Sequence, residues 1–154
     1  MKKTGLLNTE LFLAIPELNI AIFAFLLNFV WEFLQVPLFE AMPQLSHWEG
    51  IKICAVAALA DVAIVLVGYW SIAAITRSRR WFLAPGYIAL GGFVGIGVLV
   101  AIAIERLALT TGRWLYSDAM PIIPIFDVGL SPILQWLILP LLALWFARRQ
   151  IVAR

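Results

Sequence analysis

Asn28, Glu32 and Gln35 stand at i, i+4 and i+7 of an otherwise apolar stretch, so on a helix they line one face. Asp61 and Glu105 fall in two further apolar stretches, and Gln135 lies near the start of a fourth. An ionisable side chain is costly in hydrocarbon and marks a functional site by default. In a dry cavity, carboxylates can give or take a proton, or stabilise a developing cation. Glu32, Asp61 and Glu105 are therefore the catalytic candidates, and Asn28, Gln35 and Gln135 are the amides expected to line the same interior. His47, Trp48 and Arg106 are expected at the rim. Arg106 and Arg113 are the cations available to pair with the acids on that side. Trp114 and Tyr116, close to Arg113, complete the expected binding surface. The competing use of the same polar groups is hydrogen bonding between helices. Cys54 is the single cysteine and His47 the single histidine, so a cysteine cluster, a multi-histidine metal site or a bis-histidine haem is excluded within one chain. No metal is expected, and no residue pattern identifies a cofactor.

The elements that must hold these residues follow from composition. Of 154 residues, 64% are hydrophobic and only 13% charged, and the mean hydropathy is +0.99. The apolar runs exceed the roughly 18 residues of a membrane span. Spans are expected at about 17–39, 50–75, 81–107 and 129–146, all helical because lipid offers no partner to open backbone groups. The fold class is all-α: one domain over 1–154, an integral membrane four-helix bundle with a long outer loop. A short interfacial helix is expected over 8–15, ended by Pro16. The apolar N-terminus is not read as a signal peptide, because Pro16 and Glu17 interrupt it and no small-residue cleavage site follows.

Helical rise puts Glu32 roughly 22 Å along the first span and Asp61 roughly 16 Å along the second, near the midplane. Pro37 removes one backbone hydrogen bond and is expected to leave a carbonyl near Phe33 open. Cys54, Asp61 and Gly68 recur every seventh residue, a seam of small residues. Gly91 and Gly95 form a second seam in the third span, with Glu105 at its outer end.

Cations set the orientation. Lys2 and Lys3, then Arg77, Arg79 and Arg80, then Arg148, Arg149 and Arg154 fall on one side of a four-span chain. That side is expected to be the cytoplasm, with both termini there and the chain in a bacterial inner membrane. The opposite loops cover 40–49 and 108–128. Pro121, Pro124 and Pro132, with Gly112 and Gly129, prevent a helix in the second of them, and its length suits a lid or cap. Trp114, Tyr116, Met120 and Phe126 are expected at headgroup depth. A nucleic-acid partner would need a basic stripe, and the cations here cluster between spans.

The run from Glu32 to Phe39, with Trp48, Ile51 and Lys52 beyond it, resembles a stretch of the EXPERA-type membrane proteins, which include emopamil-binding sterol isomerases. That resemblance implies a small helical bundle around a hydrophobic cavity, and it implies that Glu32 is the embedded acid that meets a cationic ligand or carbocation. In that family the corresponding helix is the second span, whereas here it is the first. The segments Trp31–Leu38, Trp114–Pro121 and Gly129–Trp136 also resemble those of small bacterial four-span membrane proteins, a likeness that implies no activity.

Three functions fit these residues. The favoured one is a membrane-embedded enzyme or binder for a hydrophobic, isoprenoid- or sterol-like molecule. A proton-coupled transporter of a lipophilic cation is the second, and an accessory subunit of a larger membrane complex the third. The expected partners are membrane lipid, the hydrophobic small molecule, and a second copy or a larger membrane assembly.

Overall fold

A computed structural model describes residues 15–153. Apart from Ile15, the interfacial helix expected over 8–15 lies outside the described residues. Four long helices follow one another: α1 (Pro16–Gln35), α2 (His47–Thr76), α3 (Tyr87–Thr110) and α4 (Leu130–Val152). Each is long and apolar enough to cross a bilayer. Each packs on its sequence neighbours, and α1 closes on α4, so α1 faces α3 and α2 faces α4 across the diagonals.

Local chemistry sets the boundaries. Pro16 opens α1 at a position where its missing N–H removes nothing. Pro37 ends it, and Val36–Leu38 form a single 3-10 turn. The carbonyl expected to be open near Phe33 is closed: the Val36 N–H donates to Phe33 O. α2 starts at His47 rather than Gly50, because Ser46 and Glu49 form a capping box. In it Ser46 Oγ accepts from the Glu49 N–H at 3.3 Å, and Glu49 Oε2 accepts from the Ser46 N–H at 3.2 Å. Arg77 ends α2 in the left-handed conformation, φ 53°. The third helix starts at Tyr87, six residues after the expected Trp81. Pro85 keeps Ala84 out of helical geometry, so Trp81–Leu83 make only one 3-10 turn, with Trp81 and Phe82 buried. α4 continues to Val152 instead of stopping at Phe146. Arg148 and Arg149 end an apolar run, but arginine is a good helix former.

The end of the bundle that carries Arg79 is tied by named contacts. Arg79 meets the Glu17 carboxylate through two bonds, 2.9 and 2.8 Å. That pairing, foremost, holds the Arg79 guanidinium above its ordinary range. The Tyr69 hydroxyl donates to the Arg79 carbonyl, and Trp81 Nε1 donates to Tyr69 O at 3.3 Å. Close helix approach uses Gly97, against the Trp136 ring, and Gly68 and Gly92, against Phe93 and Ile72. The expected Gly91–Gly95 seam is not there: a Cβ at either would meet nothing within 4 Å.

At the other end the α1–α2 and α3–α4 loops join. Glu40 N–H donates to Leu115 O at 3.1 Å, and Ser117 N–H to Leu38 O at 3.0 Å. Ser117 Oγ adds a bond to Pro37 O at 2.9 Å. A two-residue hairpin, β1 (Ile122–Ile123) with β2 (Val128–Gly129), turns at Asp127 with φ 50°. With the antiparallel Phe39–Tyr116 bridge, this hairpin departs from an all-α chain and makes the long loop an ordered cap.

Candidate functional site

Gln135 is the hub. It is buried on α4, and its Nε2 donates to Asn28 Oδ1 at 2.8 Å, to Asp61 Oδ2 at 2.9 Å and to Glu32 Oε1 at 3.2 Å. An amide nitrogen has two hydrogens, so three acceptors must share them. Gln35 Nε2 donates to the same Glu32 oxygen at 2.9 Å. Behind it, Ser131 Oγ donates to Gln35 Oε1 at 2.9 Å, and Asn28 Nδ2 is turned back to Ala24 O at 2.8 Å. Three helices thus bring together Asn28, Glu32, Gln35, Asp61 and Gln135. The amides are buried, whereas Glu32 and Asp61 are half-buried and form the accessible side of the cluster. Ser131 was missed in the sequence, although it stands four residues before Gln135 and so shares its face. On α1, Trp31 Nε1 is covered and has no hydrogen-bond partner among the described residues.

Glu105 is held separately. The Tyr116 hydroxyl and Trp114 Nε1 (3.2 Å) both donate to its carboxylate, and Tyr116 Oη accepts from the Gly129 N–H at 3.0 Å. No hydrogen bond joins Glu105 to Glu32 or Asp61 among the described residues. Of the three expected acids, two meet, and the third docks the α3–α4 loop. Burial, and then the Glu105 carboxylate beside it, push the Tyr116 hydroxyl above the usual phenol range, so it stays a donor. Tyr116→Phe removes that donor and leaves a buried carboxylate short of a partner. We expect a loss of roughly 1–3 kcal/mol. Limited proteolysis between Gly112 and Pro121 should become faster than in the wild type, while α4 stays resistant; equal cleavage rates would show that the loop is held by other contacts.

The rim residues do not reach the acids. Arg106 Nη1 bonds Asp127 Oδ2 at 3.1 Å and Phe126 O at 3.0 Å. Arg113 lies 5.8 Å over the Trp114 ring, and His47 and Trp48 are exposed at the start of α2. The two ion pairs among the described residues are Glu17–Arg79 and Arg106–Asp127, so neither involves Glu32 or Asp61. Among the described residues, no acid lines either of two open surface hollows. One, of about 280 Å³, is an apolar groove between α1 and α2 formed by Ala21, Ile22, Phe25, Leu26, Leu59 and Val62. It reaches the residue after Asp61.

No family model matches the sequence, and neither a curated protein nor a solved structure matches it. The chemistry open to the cluster therefore rests on its own atoms: two carboxylates offer acceptors in excess of the amide donors that serve them.

Proposed function

We propose that this chain is a multi-pass protein of the bacterial inner membrane, with both termini in the cytoplasm, and that its Glu32–Asp61 pair engages a hydrophobic, isoprenoid- or sterol-like molecule. The observation that carries this reading is the single Gln135 nitrogen shared by both acids, with no cation ion-paired to either among the described residues. Two carboxylates gathered at the interior of a bundle lack a positive charge, and a proton or a ligand's cationic centre supplies it. With a proton between them the pair can protonate or deprotonate a bound substrate; with both acids ionised it stabilises a carbocation or a protonated amine. The buried amides fix the two carboxylates from behind. The acids come from α1 and α2, and the apolar groove between these two helices gives a lipid-side approach for an apolar skeleton.

The test uses purified protein in detergent and tetraphenylphosphonium or a tertiary-amine lipophile as probe, with calorimetry for affinity and a pH indicator for released protons. We expect wild-type binding with proton release, and at least about tenfold weaker binding in Glu32→Gln and in Asp61→Asn. Helical content should be unchanged in both. Wild-type affinity in both variants would eliminate the acid pair as the site.

A further inference from the structure

We infer that the inner end of the bundle binds one anionic phospholipid in the hollow between α1 and the end of α4. The inference rests on the membrane orientation proposed above and is independent of the acid pair.

The hollow holds about 450 Å³ and is lined by Phe23, Trp145, Phe146, Arg149, Gln150 and Ala153. Its two kinds of lining are sorted by depth. Trp145 and Phe146 precede Arg149 on α4 by four and three residues, so at helical rise they lie about 5–6 Å nearer the apolar centre. Phe23 stacks on Phe146 with ring centroids 5.3 Å apart, which makes a continuous aromatic wall across the two helices. At the rim the Arg149 guanidinium lies 5.0 Å over the Trp145 ring, held to one side of the hollow by cation–π attraction. A cation above an aromatic wall matches a phosphate above an acyl chain.

Charge decides the headgroup. At the same end Arg79 is already paired with Glu17, whereas no carboxylate pairs with Arg149 among the described residues. An unneutralised guanidinium at the cytoplasmic surface draws anionic lipid, and such basic hollows between spans suit acidic headgroups. Gln150 adds amide donors and acceptors for glycerol or phosphate oxygens. A zwitterionic lipid brings its own cation to the phosphate and gains less from Arg149. Inorganic phosphate would leave the Phe23–Phe146 wall unused.

Native mass spectrometry of the full chain, titrated with phosphatidylglycerol or phosphatidylcholine of the same acyl chains, tests this. We expect one phosphatidylglycerol per chain to survive activation that strips phosphatidylcholine. Arg149→Gln should weaken its retention about fivefold, the share of one basic residue at a membrane surface. Arg149→Lys should restore most of it, Phe23→Ala should weaken it with the charge intact, and Arg148→Gln, outside the hollow, should leave it unchanged. Equal retention of the two lipids overturns the inference. So does displacement of phosphatidylglycerol by millimolar inorganic phosphate, or an equal loss in Arg148→Gln and Arg149→Gln. Binding of lipophilic cations by the same preparations separates a failure here from a failure of the acid-pair reading.

Discussion

Gln135→Leu is expected to destabilise the bundle by roughly 3 kcal/mol, on the order of 10 °C in the thermal midpoint. The volume change is small, so the loss comes from hydrogen bonding. Asn28 Oδ1, Asp61 Oδ2 and Glu32 Oε1 all lose the same donor. Gln35 still serves Glu32, but Asp61 has no other side-chain hydrogen bond among the described residues. Leaving buried acceptors unsatisfied costs more than making the original bonds gained. The loss should be recovered in part by Glu32→Gln and Asp61→Asn in the Gln135→Leu background, because each new amide brings two donors and removes a charge. The measurement is a set of melting curves for the single, double and triple variants in one detergent. If the Gln135→Leu loss were independent of the acids, the hub would be a packing residue and the shared nitrogen incidental.

The acid-bearing stripe on α1 was legible because helical spacing alone puts Asn28, Glu32 and Gln35 on one face, and their polarity keeps that face inside. Asp61 was legible by its depth. Gln135 was expected in the same interior, but that its one nitrogen serves both acids was not legible, since linear spacing says which residues share a face and nothing about which atoms meet across helices. Glu105 shows the same limit: its register relative to Gly91 is readable, but its partners Tyr116 and Trp114 come from an irregular loop whose path periodicity does not encode. The helix limits divide by cause. Hydropathy located the spans, whereas the real ends follow capping at Ser46, the Pro85 block before α3, and helix-forming arginines after Phe146. The small-residue pattern misled in an instructive way. Gly91 and Gly95 are correctly spaced for a close crossing, but the α3–α4 approach runs through Gly97, because there the opposing residue is Trp136 and only a missing side chain admits its ring.

That difference yields the sharpest contrast between two substitutions of one kind on one helix. A Cβ at Gly97 would lie 2.4 Å from Trp136 Cε3 and 2.8 Å from Cζ3, far inside van der Waals contact. Trp136 is only 5% exposed, so its ring has little room to swing away. Gly97→Ala must therefore part α3 from α4, at a cost of roughly 2–3 kcal/mol for overpacking. The displacement acts one residue from Gln135, and a shift of that backbone stretches bonds to Asp61 and Glu32 that now span 2.9 and 3.2 Å. Binding of a lipophilic cation should fall together with stability. Gly91→Ala meets open space, and on a helix interior it should be neutral or stabilising by up to about 1 kcal/mol. Melting curves and probe affinity for the two alanine variants decide the matter. A destabilised Gly91→Ala with an unaffected Gly97→Ala would mean that α3 is rotated about its axis, with the Gly91–Gly95 face turned inward and Trp136 no longer its neighbour.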